Sequence, residues 1–347
     1  MCPATGQDIG GGNGQPTLRH WRTAIAARRR GDAMRCAVAS AQRATTVVIG
    51  IQEGGGTIDE LTRGLEFPEG PIAMADGSVL VVEIEGGNLT RVSPDGTRTV
   101  IGRCGGGPNG AAIGPDGCAY VCNDGGLGFT TLDGIRQPFE LAADNKGGSI
   151  QRVDLVTGAV ETVYTHRGDT PILSGNDIVF DTEAGFYFND TVAGVVYYAR
   201  PDGSSIHVAA TGLQFPNGLG LSPEGTRLYA SETYTGRIVF WEVTGGGSLS
   251  DSFVELYSTE GRHHWDGLAI DSEGNVCAAD LQESGVTIIS PEGRVVGKVT
   301  VPEHDPFVTN ICFGGPDMRT AFITSSGLGR LYRTEWHCPG LRLNYNA

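Results

Sequence analysis

One phrase recurs along the chain. A polar residue opens a short apolar run, a Gly-containing turn follows, and a second apolar run ends on another polar residue. Its clearest copy is Phe215-Pro-Asn-Gly-Leu-Gly-Leu-Ser-Pro-Glu-Gly-Thr-Arg-Leu-Tyr-Ala-Ser231. The six copies open at Glu69, Asn109, Asn176, Asn217, Asp266 and Asn310, at successive spacings of 40, 67, 41, 49 and 44 residues. Fourteen places on from each stand Glu83, Asn123, Asp190, Ser231, Asp280 and Thr324. Repeats of about 40 residues built from short strands are the signature of a β-propeller. The expected fold is therefore all-β, a six-bladed β-propeller over residues 51–347.

The geometry of one repeat says where its polar ends go. A strand of about five residues runs down, a tight turn reverses it, and the next strand runs back up. Both polar ends then lie at one end of a hairpin, and six hairpins about an axis give two rings of oxygen-rich side chains on one face. None of the twelve positions is Lys, Arg or apolar, whereas polar strand ends normally include cations. Two plainer readings stand beside this one. Strand ends at a surface are polar anyway, and Asn-Gly or Asp-Gly pairs suit a strand entry through their tolerance of left-handed backbone. The second accounts for Asn109-Gly110, Asn217-Gly218 and Asp266-Gly267, but not for Asn176-Asp177 or Asn310-Ile311.

Charge and cysteine usage narrow the partners. A net charge of −15 argues against nucleic acid and anionic membrane surfaces, and favours cations. No apolar run reaches the roughly 18 residues a membrane helix needs. The eight cysteines form no CxxC pair and have no His partners at zinc spacing. Cys118, Cys122, Cys277 and Cys312 fall in expected strands, where a free thiol acts as a small apolar group. A reducing, cytoplasmic setting and a small-molecule substrate follow as expectations, with the oligomeric state open. Residues 1–50 lack the repeat and carry an Arg-rich segment, residues 19–30, with helical character. They read as an N-terminal extension, disordered or partly helical, without the apolar core of a secretory signal. Residues 125–147 interrupt blade 2 on the polar-ring face, as a lid or as a disordered surface insertion. The segment that closes the ring is left open.

Glu69, Asn176, Asn217 and Asp266 would supply two carboxylates and two amide oxygens. Hard oxygen donors with a charge near −2 suit Ca²⁺ first, then Mg²⁺ or Mn²⁺. Such an ion, held with open positions, polarises a carbonyl or phosphoryl oxygen. Asp266 can be a ligand or a base toward water, and His263 and His264 precede it on the same face as proton carriers. No G-x-S-x-G elbow, Walker A or dinucleotide fingerprint is present.

Glu-Gly-Pro at 69–71, Gly-Asn-Asp-Ile-Val-Phe-Asp at 175–181, Pro-Asn-Gly-Leu-Gly-Leu-Ser at 216–222, Asp-Gly-Leu-Ala-Ile-Asp at 266–271 and Cys-Phe-Gly-Gly at 312–315 together resemble the SMP-30/gluconolactonase/LRE-like family. The resemblance runs from about residue 60 to 335, in order. It implies a six-bladed propeller with a central divalent metal, usually calcium, and hydrolysis of lactones, with a related branch acting on phosphotriesters. By motif matching, the metal ligands fall on Glu69, Asn176, Asn217 and Asp266, with Asp266 also the base. Asn109 would face the substrate. Sugar-lactone members carry an arginine where Ser174 stands, which counts against an aldonolactone but not against lactone-type hydrolysis. The expected enzyme is a calcium-type hydrolase of a lactone or related ester. His264 serves as a second catalytic group, and Asn109, Asn123, Ser174, Asp190 and Glu232 face the substrate. The alternatives are a phosphotriesterase or lyase on the same scaffold, or a non-catalytic ligand-binding or partner-binding propeller.

Overall fold

A computed structural model describes residues 57–346, and the expected extension over residues 1–50 lies outside them. Strands and turns account for the described residues, and no helix there is long and apolar enough to cross a membrane. Six antiparallel sheets are the six blades. Their innermost strands are Pro68–Ala73, Pro108–Ile113, Gly175–Phe180, Pro216–Leu221, Trp265–Ile270 and Val308–Gly314. Each packs against the next, and the sixth packs back on the first, so the ring closes around a central channel.

Six apolar clusters hold the blades together, one at each blade–blade interface. Burial falls from the axis outward. The inner strand of blade 1 is buried at every residue, while its outer strand Arg98–Arg103 is mostly exposed. This explains the weak alternation along the inner strands, which are covered on both faces. The cysteines at 118, 122, 277 and 312 are buried free thiols, as expected of small apolar residues.

The closing segment is Asp59–Arg63, which pairs with Arg330–Glu335 as the outermost strand of blade 6. One blade is thus built from both ends of the propeller. The interruption in blade 2 is ordered: Leu127–Leu132 and Ile135–Leu141 form a β-hairpin. It reaches blades 1 and 6, where Phe129 packs on Phe67 at 5.0 Å and Phe67 packs on Phe307 at 5.5 Å. The Arg136 N–H donates to the Gly327 carbonyl at 2.8 Å, and its guanidinium pairs with Glu85. Phe67 and Phe307 lead directly into the inner strands of their blades, so the hairpin lies over two of the strand starts.

Pairing register corrects the sequence reading at two places. In five blades the residue before the ring position faces the second-ring residue: Pro68 and Glu83, Pro108 and Asn123, Gly175 and Asp190, Pro216 and Glu232, Trp265 and Asp280. The blade 4 position is therefore Glu232, not Ser231, because its hairpin is one residue longer. In blade 6 Val308 faces Ser325, which puts Thr309 rather than Asn310 at the inner position and Ser325 rather than Thr324 at the second.

If Asp59–Arg63 closes the ring, a chain beginning at residue 51 should melt at the temperature of the full chain. A chain beginning at residue 65 should melt several degrees lower or aggregate, because blade 6 then exposes a long unpaired edge. Equal melting of the two shortened chains would contradict this closure.

Candidate functional site

The inner ring consists of Glu69, Asn109, Asn176, Asn217, Asp266 and Thr309, at the start of the six inner strands. The residue after each is Gly in four blades. Gly70 takes a left-handed φ of 47°, whereas at Gly110, Gly218 and Gly267 the role is close approach alone. A Cβ on Gly110 would lie 2.4 Å from the Asn176 carbonyl oxygen, and one on Gly218 would lie 2.6 Å from the Leu268 nitrogen. The Asn-Gly pairs thus let neighbouring inner strands meet backbone to backbone, which draws the ring side chains together.

Two blades put a side chain where the others have Gly, and both reach the ring. Asn310 donates from Nδ2 to Glu69 Oε2 at 2.8 Å, and the Gly70 N–H donates to the same oxygen. Asp177 accepts the Leu219 N–H at 2.9 Å. Burial pushes the Glu69 carboxyl up to about 7 and the Asp177 carboxyl up to about 8, the latter also through repulsion from Glu69. A third buried carboxyl, Asp124, is pushed up to about 7 by burial, partly offset by the Gly126 N–H and the Asn109 side chain. Among the described residues no Lys, Arg or His forms an ion pair with any of the three. Burying an uncompensated carboxylate costs several kcal/mol, so these groups need protons or a bound cation. The donor set, all oxygen, fits a hard divalent ion.

The other ring positions point the same way. Asn217 donates from Nδ2 to Thr233 Oγ1 at 3.2 Å, which leaves Oδ1 as its acceptor. Its carbonyl is held by the Asn189 amide. Asp266 is half-buried, and its carbonyl accepts the Ser231 hydroxyl at 2.7 Å. Asn176 is buried, and no protein group among the described residues is hydrogen-bonded to its amide.

The second ring has a different task. Each member pins the loop that leads into its own inner strand. Glu83 accepts the Glu66 N–H at 2.7 Å, Asn123 that of Gly107 at 3.0 Å, and Glu232 that of Gln214 at 2.7 Å. Asp190 accepts two, from Leu173 and Ser174. Asp280 pairs with His263 Nδ1 at 2.6 Å, and Ser325 donates to Asp305 in the blade 6 entry loop. Asn123, Asp190 and Glu232, expected to face the substrate, are engaged here with the backbone of their entry loops. Asn123 makes four hydrogen bonds to its surroundings. Asp190 and Glu232 are wholly buried, and Glu232 is also paired with Arg237. Ser174 sits at the strand entry with its N–H held by Asp190.

Two further elements border the channel mouth at blades 4 and 5. His264 stands edge-on to Tyr234 at 5.8 Å, and Tyr234 packs on Phe215 at 4.6 Å. Phe215 and Phe67, at matching places before blades 4 and 1, adopt φ of 58° and 60°. Strain of this kind costs on the order of 1–3 kcal/mol and persists where surroundings enforce it. Here the Thr233 and Ile84 N–H groups hold the two strained carbonyls.

A six-bladed propeller whose channel opens on a ring of oxygen donors defines the class. The chain belongs to the SMP-30/gluconolactonase/LRE-like family, whose model matches residues 67–327. A gluconolactonase from Zymomonas mobilis is 25% identical over 306 residues, 78% of this chain and 79% of the relative. A gluconolactonase structure from Xanthomonas campestris superposes with TM-score 0.66 at 21% identity, covering 87% of this chain and 95% of its own. The calcium-binding protein regucalcin from Agrobacterium tumefaciens superposes with TM-score 0.64 at 18% identity, covering 83% and 97%. These structural likenesses are likenesses of fold.

The raised carboxyls give a signed pH dependence. Folded Glu69, Asp177 and Asp124 keep protons that the unfolded chain releases above about pH 4. The contribution of these three groups to the stability of the ion-free protein is therefore full below about pH 4 and is lost as pH rises through about 7 to 8. In chelator, the melting temperature should fall between about pH 5 and about pH 9, and Asp177→Asn should flatten the slope. A melting temperature that climbs over this interval, or a slope indifferent to Asp177→Asn, would contradict the assignment.

Proposed function

We propose that the protein is a calcium-type hydrolase that opens a lactone or related ester at the inner ring. The observation that carries this reading is the set of buried, cation-free carboxylates beside amide oxygens at one end of the channel. Glu69, Asn217 and Asp266 would hold the ion, with Asn176 completing the set. The same activity is named for the Zymomonas mobilis relative, a gluconolactonase. When bound, a divalent cation of this kind supplies Lewis-acid polarisation of a carbonyl.

The chain's own residues do the rest. Asp266 takes a proton from a water molecule as that oxygen attacks the carbonyl carbon. The ring C–O bond then breaks, and the leaving oxygen receives a proton from the Asp266 carboxyl or from His264. Asn109 and Ser174 orient the substrate, with Asn109 itself steadied against Asp124. Ser174 stands where sugar-lactone members carry arginine, which counts against an aldonolactone but not against lactone-type hydrolysis. His263 is tied to Asp280 and stacked on Trp265 at 5.5 Å, and His264 is the proton carrier in this reading.

Two substitutions separate base from ligand. Asp266→Asn keeps an oxygen donor but removes basicity, so turnover should fall by about 10²–10⁴-fold with little change in ion occupancy. Asn217→Ala should weaken ion binding, with activity largely recovered in excess Ca²⁺. Lactone turnover and ion content, measured with and without chelator, check both. Full rescue of Asp266→Asn by Ca²⁺ would show that Asp266 only holds the ion. Wild-type turnover unaffected by complete removal of the ion would overturn the reading.

A further inference from the structure

The end of the channel opposite the ring is crossed by the C-terminal tail. Its backbone is stitched to blades 5 and 6: Ser272 N–H donates to Pro339 O at 2.8 Å, Gly340 N–H to Met318 O at 2.7 Å, and Leu341 N–H to Ile270 O at 2.9 Å. The tail then reaches blade 3, where Asn344 Nδ2 donates to Phe180 O at 3.0 Å and the Tyr345 ring packs on Phe180. Where the tail leaves blade 6, three chemically different donors converge. The Asp271 carboxylate, the His337 imidazole and the Cys338 thiol offer atoms that all lie within 4.8 Å of one another. Asp271 Oδ2 and His337 Nε2 are 3.8 Å apart.

We infer that Asp271, His337 and Cys338 form a second cation site, of zinc-type chemistry, that clamps the tail under blade 5. The 3.8 Å separation is too long for a hydrogen bond. An oxygen and a nitrogen ligand of one tetrahedral ion stand about 3.3–3.5 Å apart, so closure by roughly a few tenths of an ångström brings both groups onto one ion. Asp271 is already oriented as ligating carboxylates are. Its Oδ1 accepts the Glu273 and Asn275 N–H groups at 3.0 and 2.9 Å, and its Oδ2 accepts the Asn275 amide at 2.8 Å. Asp271 and Cys338 are buried while His337 is open to solvent, which gives the ion a way in. The Cys338 thiol is pushed up to about 12 by burial and by the Asp271 carboxylate beside it, so it would release its proton on binding, and the carboxylate and thiolate then carry two negative charges that one divalent ion neutralises. Cys277 Sγ, 4.0 Å from Asp271 Oδ2, is the nearest candidate for a fourth position. Nitrogen and sulfur donors exclude Ca²⁺ and select zinc-like ions, so this site and the inner ring would take different metals. The remaining charged neighbours are Glu273 and Arg319, whose guanidinium is occupied by the His337 carbonyl at 2.7 Å.

Cobalt(II) titrated into the metal-stripped full chain, with Ca²⁺ present, tests this directly. One equivalent should produce a thiolate-to-cobalt charge-transfer band with tetrahedral d–d absorption, and Zn²⁺ should bleach both. Cys338→Ser should abolish the charge-transfer band. His337→Ala, on an exposed ring, should fold as the wild type does and weaken cobalt binding by about tenfold or more. Zn²⁺ should also raise the wild-type melting temperature through mass action, and fail to do so in His337→Ala. Absence of the band at one equivalent would overturn the site. So would a band that survives in both variants, or one removed only by Cys277→Ser.

Discussion

The whole arrangement depends on how closely six inner strands can approach one axis. Backbone meets backbone where Gly110 and Gly218 stand, with no room for a Cβ. That approach fixes the channel and leaves the second residue of each inner strand at its mouth. It also buries Glu69 and Asp177, and no Lys, Arg or His among the described residues forms an ion pair with either. Packing and electrostatics are therefore linked: the tighter the ring, the stronger the demand of its carboxylates for a proton or an ion.

A second constraint aims the first. The outer members of the hairpins, from Glu83 to Ser325, hold the loops that deliver the inner strands. Glu83, Asn123, Asp190 and Glu232 accept N–H groups of the loop backbone, Asp280 takes the His263 ring, and Ser325 donates to Asp305. Their oxygen-rich character is thus a structural requirement of the blade. The strained backbones of Phe67 and Phe215 belong to the same loops, held by carbonyl contacts just beyond the second ring. A change at Glu83 or Asp190 would then act on the site through the loop it releases.

Much of this was legible in the sequence. The phrase around Asn217 gave the number of blades, their order and the inner ring in five blades, because strand period and turn chemistry are local. Register was not local. One extra residue in the blade 4 hairpin and a bulge in blade 6 moved the assignments to Glu232 and Thr309. The backbone partners of Asn123, Asp190 and Glu232 were not legible, because polarity alone does not say whether an oxygen meets a ligand or a backbone N–H. Asp177 was overlooked as a site residue since its importance lies in proximity to Glu69, on another blade. The closing strand and the Asp271, His337, Cys338 group were invisible for the same reason. Each joins segments far apart in the chain, so spacing rules for metal ligands have nothing to detect.

The central claim is that the inner ring holds a hard divalent cation through Glu69, Asn217 and Asp266. An anomalous difference map from a crystal soaked in Mn²⁺ tests it most directly. The account predicts one peak at the ring end of the channel, contacted by oxygens of these three residues. A ring without a peak at saturating Mn²⁺, or an ion held there by other side chains, would contradict it.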